Sequence, residues 1–275
     1  MGPSAIRYAG LAARLREIGQ ETVDLGNVET AVAEATSMED ERARFLPQIK
    51  ATCARIAALV ERVLREDYLP LVLGGDHSVA LGTLAGMARV HGRGGVLWID
   101  AHGDLNSPAT SPSGNVHGMV LAAALGLGGP EFDDQPGLPA VDPGRVALVG
   151  VRSLDDGERE VLRNLDAKVF TMSEVDRLGV ERAVRESLTH IAGPGFVHVS
   201  LDMDVVDPEV APGVGTPVRG GLSYREAHLA LELVAESELL SSLDVVEVNP
   251  VLDRENQTGK LAVELAASAL GARIL

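Results

Sequence analysis

Short, almost unbroken apolar runs recur along the chain, and longer stretches with apolar residues every three to four positions lie between them. The runs are "YLPLVLGG" (68–75), "GGVLWID" (94–100), "RVALVGV" (145–151), "AKVFTM" (167–172), "GFVHVSLD" (195–202) and "LDVVEV" (243–248). Runs this short and this continuous predict strands buried on both faces. Helical periods follow at 46–66, 78–91, 156–165, 173–191, 223–237 and 258–274. From about residue 20 onward strand and helix therefore alternate. That alternation predicts an α/β fold: a three-layer α-β-α arrangement around a mostly parallel sheet.

Two stretches interrupt the pattern. Residues 27–46 are rich in Glu and Asp and predict an exposed helix or loop. Residues 126–144 ("GLGGPEFDDQPGLPAVDPG") predict a Gly/Pro-rich surface loop. The alternation resumes after each without a change of composition, so residues 1–275 are read as one domain.

Composition narrows the setting. Apolar residues make up 45% of the chain and aromatic residues only 3%, so the core must be built from Val, Leu, Ile and Ala. The one cysteine, Cys53, rules out an intrachain disulfide and fits a reducing cytoplasm. It falls in a helical period and reads as a small core residue. The N-terminus has no apolar core of a signal peptide, and no uncharged apolar run reaches the roughly 18 residues of a membrane span. A net charge of −16 argues against a nucleic-acid partner.

In an open parallel sheet, ligands bind outside the carboxyl ends of the strands. Polar residues directly after the buried runs are thus the candidates. Asp76 and His77 follow the first run; Asp100, His102 and Asp104 follow the second. Asp202, Asp204 and Asp207 follow the fifth, and Glu247 and Asn249 end the sixth. Side chains two apart on an extended segment point the same way, so Asp100 can share a point with His102, and Asp202 with Asp204. Unpaired carboxylates converging at one site would repel and pay a large desolvation cost. Cations remove both problems. Asp100, Asp104, Asp202 and Asp204 carry −4, which two divalent ions balance. An oxygen-rich ligand set with two imidazoles and no sulfur suits Mn²⁺ better than zinc. Each motif alone has an ordinary explanation: "GGDHS" as a turn into a helix capped by Ser78, Asp207 before Pro208 as a turn. Three such motifs at strand ends in one chain are not explained by turns.

"GGDHS", "DAHGD" and "SLDMDVVDP" resemble the three metal motifs of the ureohydrolase (arginase–agmatinase) family. "TSPSGNVHGM", "VRSLDDGE", "TMSEVDRLG", "APGVGTPVRGGLSYRE" and "VEVNP" are similar to the bacterial arginases within it. The resemblance runs from "GPSAIRYAG" to the C-terminus. It implies two Mn²⁺ ions per chain: His77 and Asp104 on one, His102 and Asp204 on the other, Asp100 and Asp202 bridging. It implies that a metal-bridging hydroxide attacks the guanidinium carbon of L-arginine, giving L-ornithine and urea. Glu247 would pair with the guanidinium. His117 would be a mobile general acid, a task that suits a near-ordinary imidazole pKa. Thr216 would help hold the guanidinium and the hydroxide. Asn106, Ser113 and Asn115 would take the α-carboxylate, and Asp155 and Glu158 the α-ammonium. By analogy the chain would form a homo-oligomer, a trimer or hexamer.

The chain departs from the family pattern twice. The strand and Gly-rich loop that precede "GPSAIRYAG" in the family have no counterpart; that strand would lie inside the sheet, at one rim of the site. Val205 stands where arginases often have Gly, and its side chain should point away from the metals. Two other functions compete with an arginase. One is a hydrolase of agmatine or guanidinobutyrate: an agmatinase has no substrate carboxylate to bind, whereas "DLNSPATSPSGN" has the arginase pattern that reads one. A non-catalytic ureohydrolase-like subunit would not need the complete ligand set.

Overall fold

A computed structural model of the chain describes residues 1–32, 35–38 and 40–273. Each of the six apolar runs forms a strand: β1 (Leu71–Leu73), β2 (Gly94–Ile99), β3 (Val141–Val151), β4 (Ala167–Thr171), β5 (Val197–Asp202) and β6 (Ser242–Val246). They make one sheet in the order β1-β6-β5-β2-β3-β4. All five pairings are parallel. Every residue of β2, β5 and β6 is buried, as strands covered on both faces require.

The pleat sends alternate side chains to two separate cores. On one face Leu97, Ile99, Val199, Leu201, Leu243 and Val245 pack under six helices. These are α1 (Gly2–Tyr8), α2 (Leu11–Glu17), α7 (Met172–Leu178), α8 (Val180–Ile191), α9 (Tyr224–Ser237) and α10 (Gln257–Ala269). On the other face Val96, Trp98, Val146 and Leu148 pack under α3 (Leu46–Arg65), α4 (Ala80–His91) and α5 (Val120–Leu125), with α6 (Asp156–Asn164) alongside. The result is the three-layer arrangement.

The connections decide where a ligand can sit. From β2 the chain steps outward to β3 and β4; from β5 it steps the other way to β6. Strands β2 and β5 are neighbours at this reversal, with Ile99 in register with Leu201. A crevice opens outside the carboxyl ends of such a pair, and Asp100 and Asp202 are the residues that emerge there.

Several details differ from the sequence reading. The 173–191 period is two helices, because Gly179 adopts φ +82° between them, and its N–H closes α7 onto the Val175 carbonyl. The last helix ends at Ala269; Ile274, where its pattern stops, lies outside the described residues. In the 126–144 loop Phe132 and Gln135 are buried, and β3 already begins at Val141. The acidic 27–46 stretch carries no α-helix until Leu46 among its described residues; Ala33, Glu34 and Glu39 lie outside them. Its end is not free surface: Ala43 is buried, and the Arg44 N–H donates to the Gly114 carbonyl. The alternation gave no sign of α1, α2 or α5. Helix α1 sits on the carboxyl ends of β1 and β6, so close that a Cβ on Gly2 would overlap the carbonyls of Gly74 and Val248. Among the described residues no strand lies beyond β1, which forms one edge of the sheet. None of the described helices is long and apolar enough to cross a membrane.

Candidate metal centre

The loops leaving β1, β2 and β5 bring six side chains to one point. Asp76 caps the 3-10 turn after β1 by accepting from the Ser78 N–H, which fixes His77 beside it. The cap is Asp76 and not Ser78, because the turn begins one residue after Asp76. The His77 imidazole stacks on Trp98, with ring centroids 4.2 Å apart and planes 5° from parallel. Its Nε2 lies 2.7 Å from the Ser200 hydroxyl. That leaves Nδ1 facing Asp100 at 3.1 Å, Asp104 at 3.0 Å and Asp202 at 3.2 Å. On the other side His102 Nδ1 lies 3.4 Å from Asp100 and 3.0 Å from Asp204. The second oxygens are held by backbone: Asp100 accepts from the His102 N–H, Asp202 from the Asp204 N–H, and Asp204 from the Ala101 N–H. Asp104 adopts φ +52°, a left-handed conformation that carries a steric cost for a residue with a Cβ and turns its carboxylate back into the cluster.

The donors form two groups close enough to hold an ion, His77/Asp100/Asp104 and Asp100/His102/Asp204, with Asp100 common to both. Asp202 reaches the first group through its contact with His77. Three deeply buried atoms in the first group, His77 Nδ1, Asp100 Oδ2 and Asp104 Oδ2, have no hydrogen-bond partner. Buried polar groups are rarely left so. A divalent cation accepts all three as ligands, so the residues fit the group that the motifs imply.

Protonation tells the same story. Burial works against a charged imidazole, yet the carboxylates prevail: His77 is held well above the ordinary imidazole range and His102 is pushed up to about 12. Burial and the neighbouring Asp100 push Asp104 up to about 6, and burial with the other carboxylates raises Asp202 and Asp204. Protons stand where the positive charge of metal ions would, and metal binding would release them.

Around this cluster the remaining candidates fall into place unequally. Glu247, at φ +63°, directs one oxygen to the His77 N–H at 2.8 Å and to His117 Nδ1 at 3.1 Å. Burial opposes charge on His117, but Glu247 raises it further, to about 9; the near-ordinary pKa expected from sequence is not met. The exposed Thr216 donates to Asp204 at 3.2 Å. Asn106 is buried and donates to Asp155 at 2.8 Å, while its carbonyl accepts from Thr110. Ser113 and Asn115 stand on the adjoining loop, where the Ser113 hydroxyl accepts from the Asn115 N–H. Glu158 turns inward: its two oxygens accept from the Leu105 and Asp155 N–H groups, bracing the loop after β2 against α6. Asp207 lies in a turn, as expected, and also ties that turn to Gly220 and Gly221. Val205 is fully buried in the hydrophobic core on the face of the sheet that carries α9.

Sequence reasoning missed Trp98, Ser200 and Arg152. Arg152 donates to the carbonyls of Gly150, Asp204, Val205 and Val218, tying the end of β3 to the Asp204 turn and the Thr216 loop. Ser200 was open to detection. It is a polar residue inside a buried strand, two positions before Asp202 on the same face.

The chain is similar to known proteins over its whole length. The family model described as "Arginase family" matches residues 1–271. The arginase of Bacillus caldovelox is 48% identical over 278 residues, covering 100% of this chain and 93% of that protein. Its solved structure superposes with a TM-score of 0.96 at the same coverage. The arginase of Bacillus subtilis (strain 168) is 48% identical over 276 residues, again covering 100% and 93%. An Entamoeba histolytica arginase, solved in complex with L-ornithine, is 31% identical with a TM-score of 0.90, covering 98% of this chain and 91% of that one. With a family match over nearly its whole length and relatives at this identity, the chain belongs to the arginase family of hydrolases.

Proposed function

We propose that the protein hydrolyses L-arginine to L-ornithine and urea with two Mn²⁺ ions, held by His77, Asp100, His102, Asp104, Asp202 and Asp204. The observation that carries this reading is the convergence of four buried carboxylates and two imidazole Nδ1 atoms, three of those atoms without a hydrogen-bond partner. Oxygen-rich ligation favours manganese over softer ions. When bound, such an ion pair supplies a water of lowered pKa, and hence a nucleophile at neutral pH.

The chain's own residues supply the rest. Glu247 orients the substrate guanidinium by a charge-assisted pair. His117, held by Glu247, would give its proton to the departing amine nitrogen while Asp104 would take the proton left on the attacking oxygen, so that the amine leaves neutral and the carbon leaves as neutral urea. Thr216, through Asp204, closes the site over the guanidinium. Asn106, Ser113 and Asn115 receive the α-carboxylate; Asp155 receives the α-ammonium, and Glu158 holds Asp155 in place. The positions of Asn106 and Asp155, already joined to each other, support a site that reads both charges of an α-amino acid. The complete donor set disfavours a non-catalytic subunit. We further read residues 1–275 as one catalytic domain that assembles as a homo-oligomer. The single buried thiol supports a cytoplasmic location.

Urea release from a panel of guanidino compounds, with and without added Mn²⁺, tests the proposal. L-arginine should be the preferred substrate, and activity should depend on the metal. Preference for agmatine would replace this reading by the broader guanidino-hydrolase one.

A further inference from the structure

Arg152 leaves the end of β3 half-buried, and all five of its guanidinium N–H groups donate to backbone carbonyls. Nη2 reaches Asp204 and Val218, both at 2.7 Å. Nη1 reaches Val205 at 3.1 Å and Gly150 at 3.2 Å, and Nε reaches Val218 at 3.2 Å. A fork of this shape among aspartates ordinarily pairs with a carboxylate. Here Asp204, Asp100, Asp207 and Asp202 attract it only from a distance. The backbone of Arg152 reaches the same place from the other side. Its N–H donates to the Ala101 carbonyl at 2.9 Å, and the Ala101 N–H donates to Asp204 Oδ1 at 3.2 Å. Ala101 stands between Asp100 and His102. Arg152, Ala101 and Asp204 thus close a ring of hydrogen bonds around one donor group, Asp100/His102/Asp204. None of these bonds reaches His77 or Asp104 in the other group. Gly221 makes room for the guanidinium: a Cβ there would stand 2.6 Å from Nη2 and overlap the Val205 carbonyl. Among the described residues the Val218 carbonyl has no donor but Arg152. It lies two residues beyond Thr216, whose hydroxyl donates to Asp204 Oδ2.

We propose that Arg152 is a positioning residue for one ion of the pair. Its fork locks the turn that carries Asp204 against the loop that carries Asp100 and His102, and so sets the affinity of the ion held there, not of the ion held by His77 and Asp104. This rests on the two-metal reading above. Donors bind an ion tightly only when they are held near its geometry before it arrives. Asp204 spends Oδ1 on the Ala101 N–H, which leaves Oδ2 facing His102 Nδ1 at 3.0 Å. Whether Oδ2 stays there depends on the backbone behind it, and Arg152 holds that backbone by the Asp204 carbonyl. The planar fork matters more than the charge. A lysine ammonium offers three donors from one point and cannot span carbonyls on β3, on the Asp204 turn and on the Thr216 loop together. The backbone bonds through Ala101 survive loss of the side chain, so the fold should survive it while the grip behind Asp204 is lost.

The test is Mn²⁺ titration of metal-stripped full-length protein, followed by electron paramagnetic resonance of the free ion, for the parent, Arg152→Met and Arg152→Lys. Both variants should bind one ion as the parent does and the other about tenfold or more weakly, the size seen when residues that orient metal ligands are removed. The weakened ion should be the one that needs His102. Arg152→Met should therefore change nothing in a His102→Ala background, and should still weaken binding in a His77→Ala background. Should Arg152→Met not fold, as read by thermal melting of the metal-free forms, Arg152→Lys carries the same expectation. Parent-like constants for both ions in Arg152→Lys would show that a charge at this place is enough, and would overturn the inference. Equal weakening of both ions would overturn it too, since a general loss of structure produces that. Either result leaves the metal reading standing. Fewer than two ions in the parent would overturn both.

Discussion

One oxygen of Glu247 serves two partners, the backbone N–H of His77 at 2.8 Å and Nδ1 of His117 at 3.1 Å. The group proposed to pair with the substrate is thereby tied to the backbone of a proposed metal ligand on one side and to the proposed proton donor on the other. In the absence of substrate, Glu247 spends its charge on His117 and raises it to about 9 although burial opposes that. A guanidinium arriving at Glu247 competes for the same charge, so substrate binding should lower the His117 pKa and ready its proton for transfer.

His117→Asn tests this coupling. Metal content should stay at the parent level, since the side chain contacts Glu247 and belongs to neither donor group, while kcat should fall by roughly two to four decades, the usual range for a lost general acid. Added imidazole should restore part of the rate. Loss of manganese from the variant, measured by elemental analysis, would make His117 a ligand instead.

The same pair predicts a pH dependence of the metal-free fold. The folded pKa of His117, about 9, lies above its ordinary value of 6.5. The contact is therefore fully stabilising below about pH 6.5 and is lost as pH rises through 9. Melting temperatures of parent and His117→Asn should differ most below pH 6.5 and converge by about pH 10. A difference that grows with pH would contradict the pairing.

Asp100 is the carboxylate common to both donor groups. Asp100→Ala should loosen both ions together and reduce urea release by orders of magnitude. Retention of two tightly bound manganese ions, read by electron paramagnetic resonance, would show that another residue bridges them.

Asp207 offers the contrast. It accepts three backbone N–H groups, from Glu209, Gly220 and Gly221, and these hold its carboxyl below the usual range. Asp207→Asn should cost about 1–3 kcal/mol in denaturant unfolding through weakened charge-assisted bonds. It should leave kcat within about twofold, because Asp207 touches no ligand.

The strands, the acidic and histidine side chains that converge, and the side of the sheet that carries them were legible in the sequence because each rests on a local pattern. A β-branched apolar run of five or six residues flanked by Gly or Pro reads as a covered strand, whereas the Ala-rich run at 120–125 is helix α5, and polar residues two apart at a strand's end share a face. What stayed hidden depends on distance along the chain. Arg152 and Asp204 follow different strands, and only the fold makes them neighbours. Glu158 looks like a surface acid on an acidic helix start, and only the loop after β2 folding under it turns it inward. The raised pKa of His117 comes from a glutamate 130 residues away. Gly179 was visible, but a helical period on both sides concealed the break that its backbone makes.

Substrate choice must come from the end of the molecule far from the metals, since agmatine and arginine present the same guanidinium. Asn106 has spent one amide hydrogen on Asp155, and its carbonyl on Thr110, which fixes the second amide hydrogen in one direction. Ser113, exposed on the neighbouring loop, supplies a hydroxyl. A carboxylate placed between them would gain charge-assisted bonds of about 1.5–3 kcal/mol each. Losing two would cost roughly two to four decades in kcat/KM, at about 1.4 kcal/mol per decade. The parent should therefore favour L-arginine over agmatine by that factor. Asn106→Ala combined with Ser113→Ala should narrow the gap, mainly by weakening arginine. Because binding at this end also sets the guanidinium over the metal site, kcat should fall as KM rises. The two contacts of Asn106 predict a second effect: Asn106→Ala alone should also free Asp155 and weaken recognition of the ammonium group, which agmatine shares with arginine, so both substrates should lose there. Competition kinetics with both substrates decide the matter. Equal kcat/KM values in the parent would mean that the loop from Asn106 to Asn115 does not read the carboxylate.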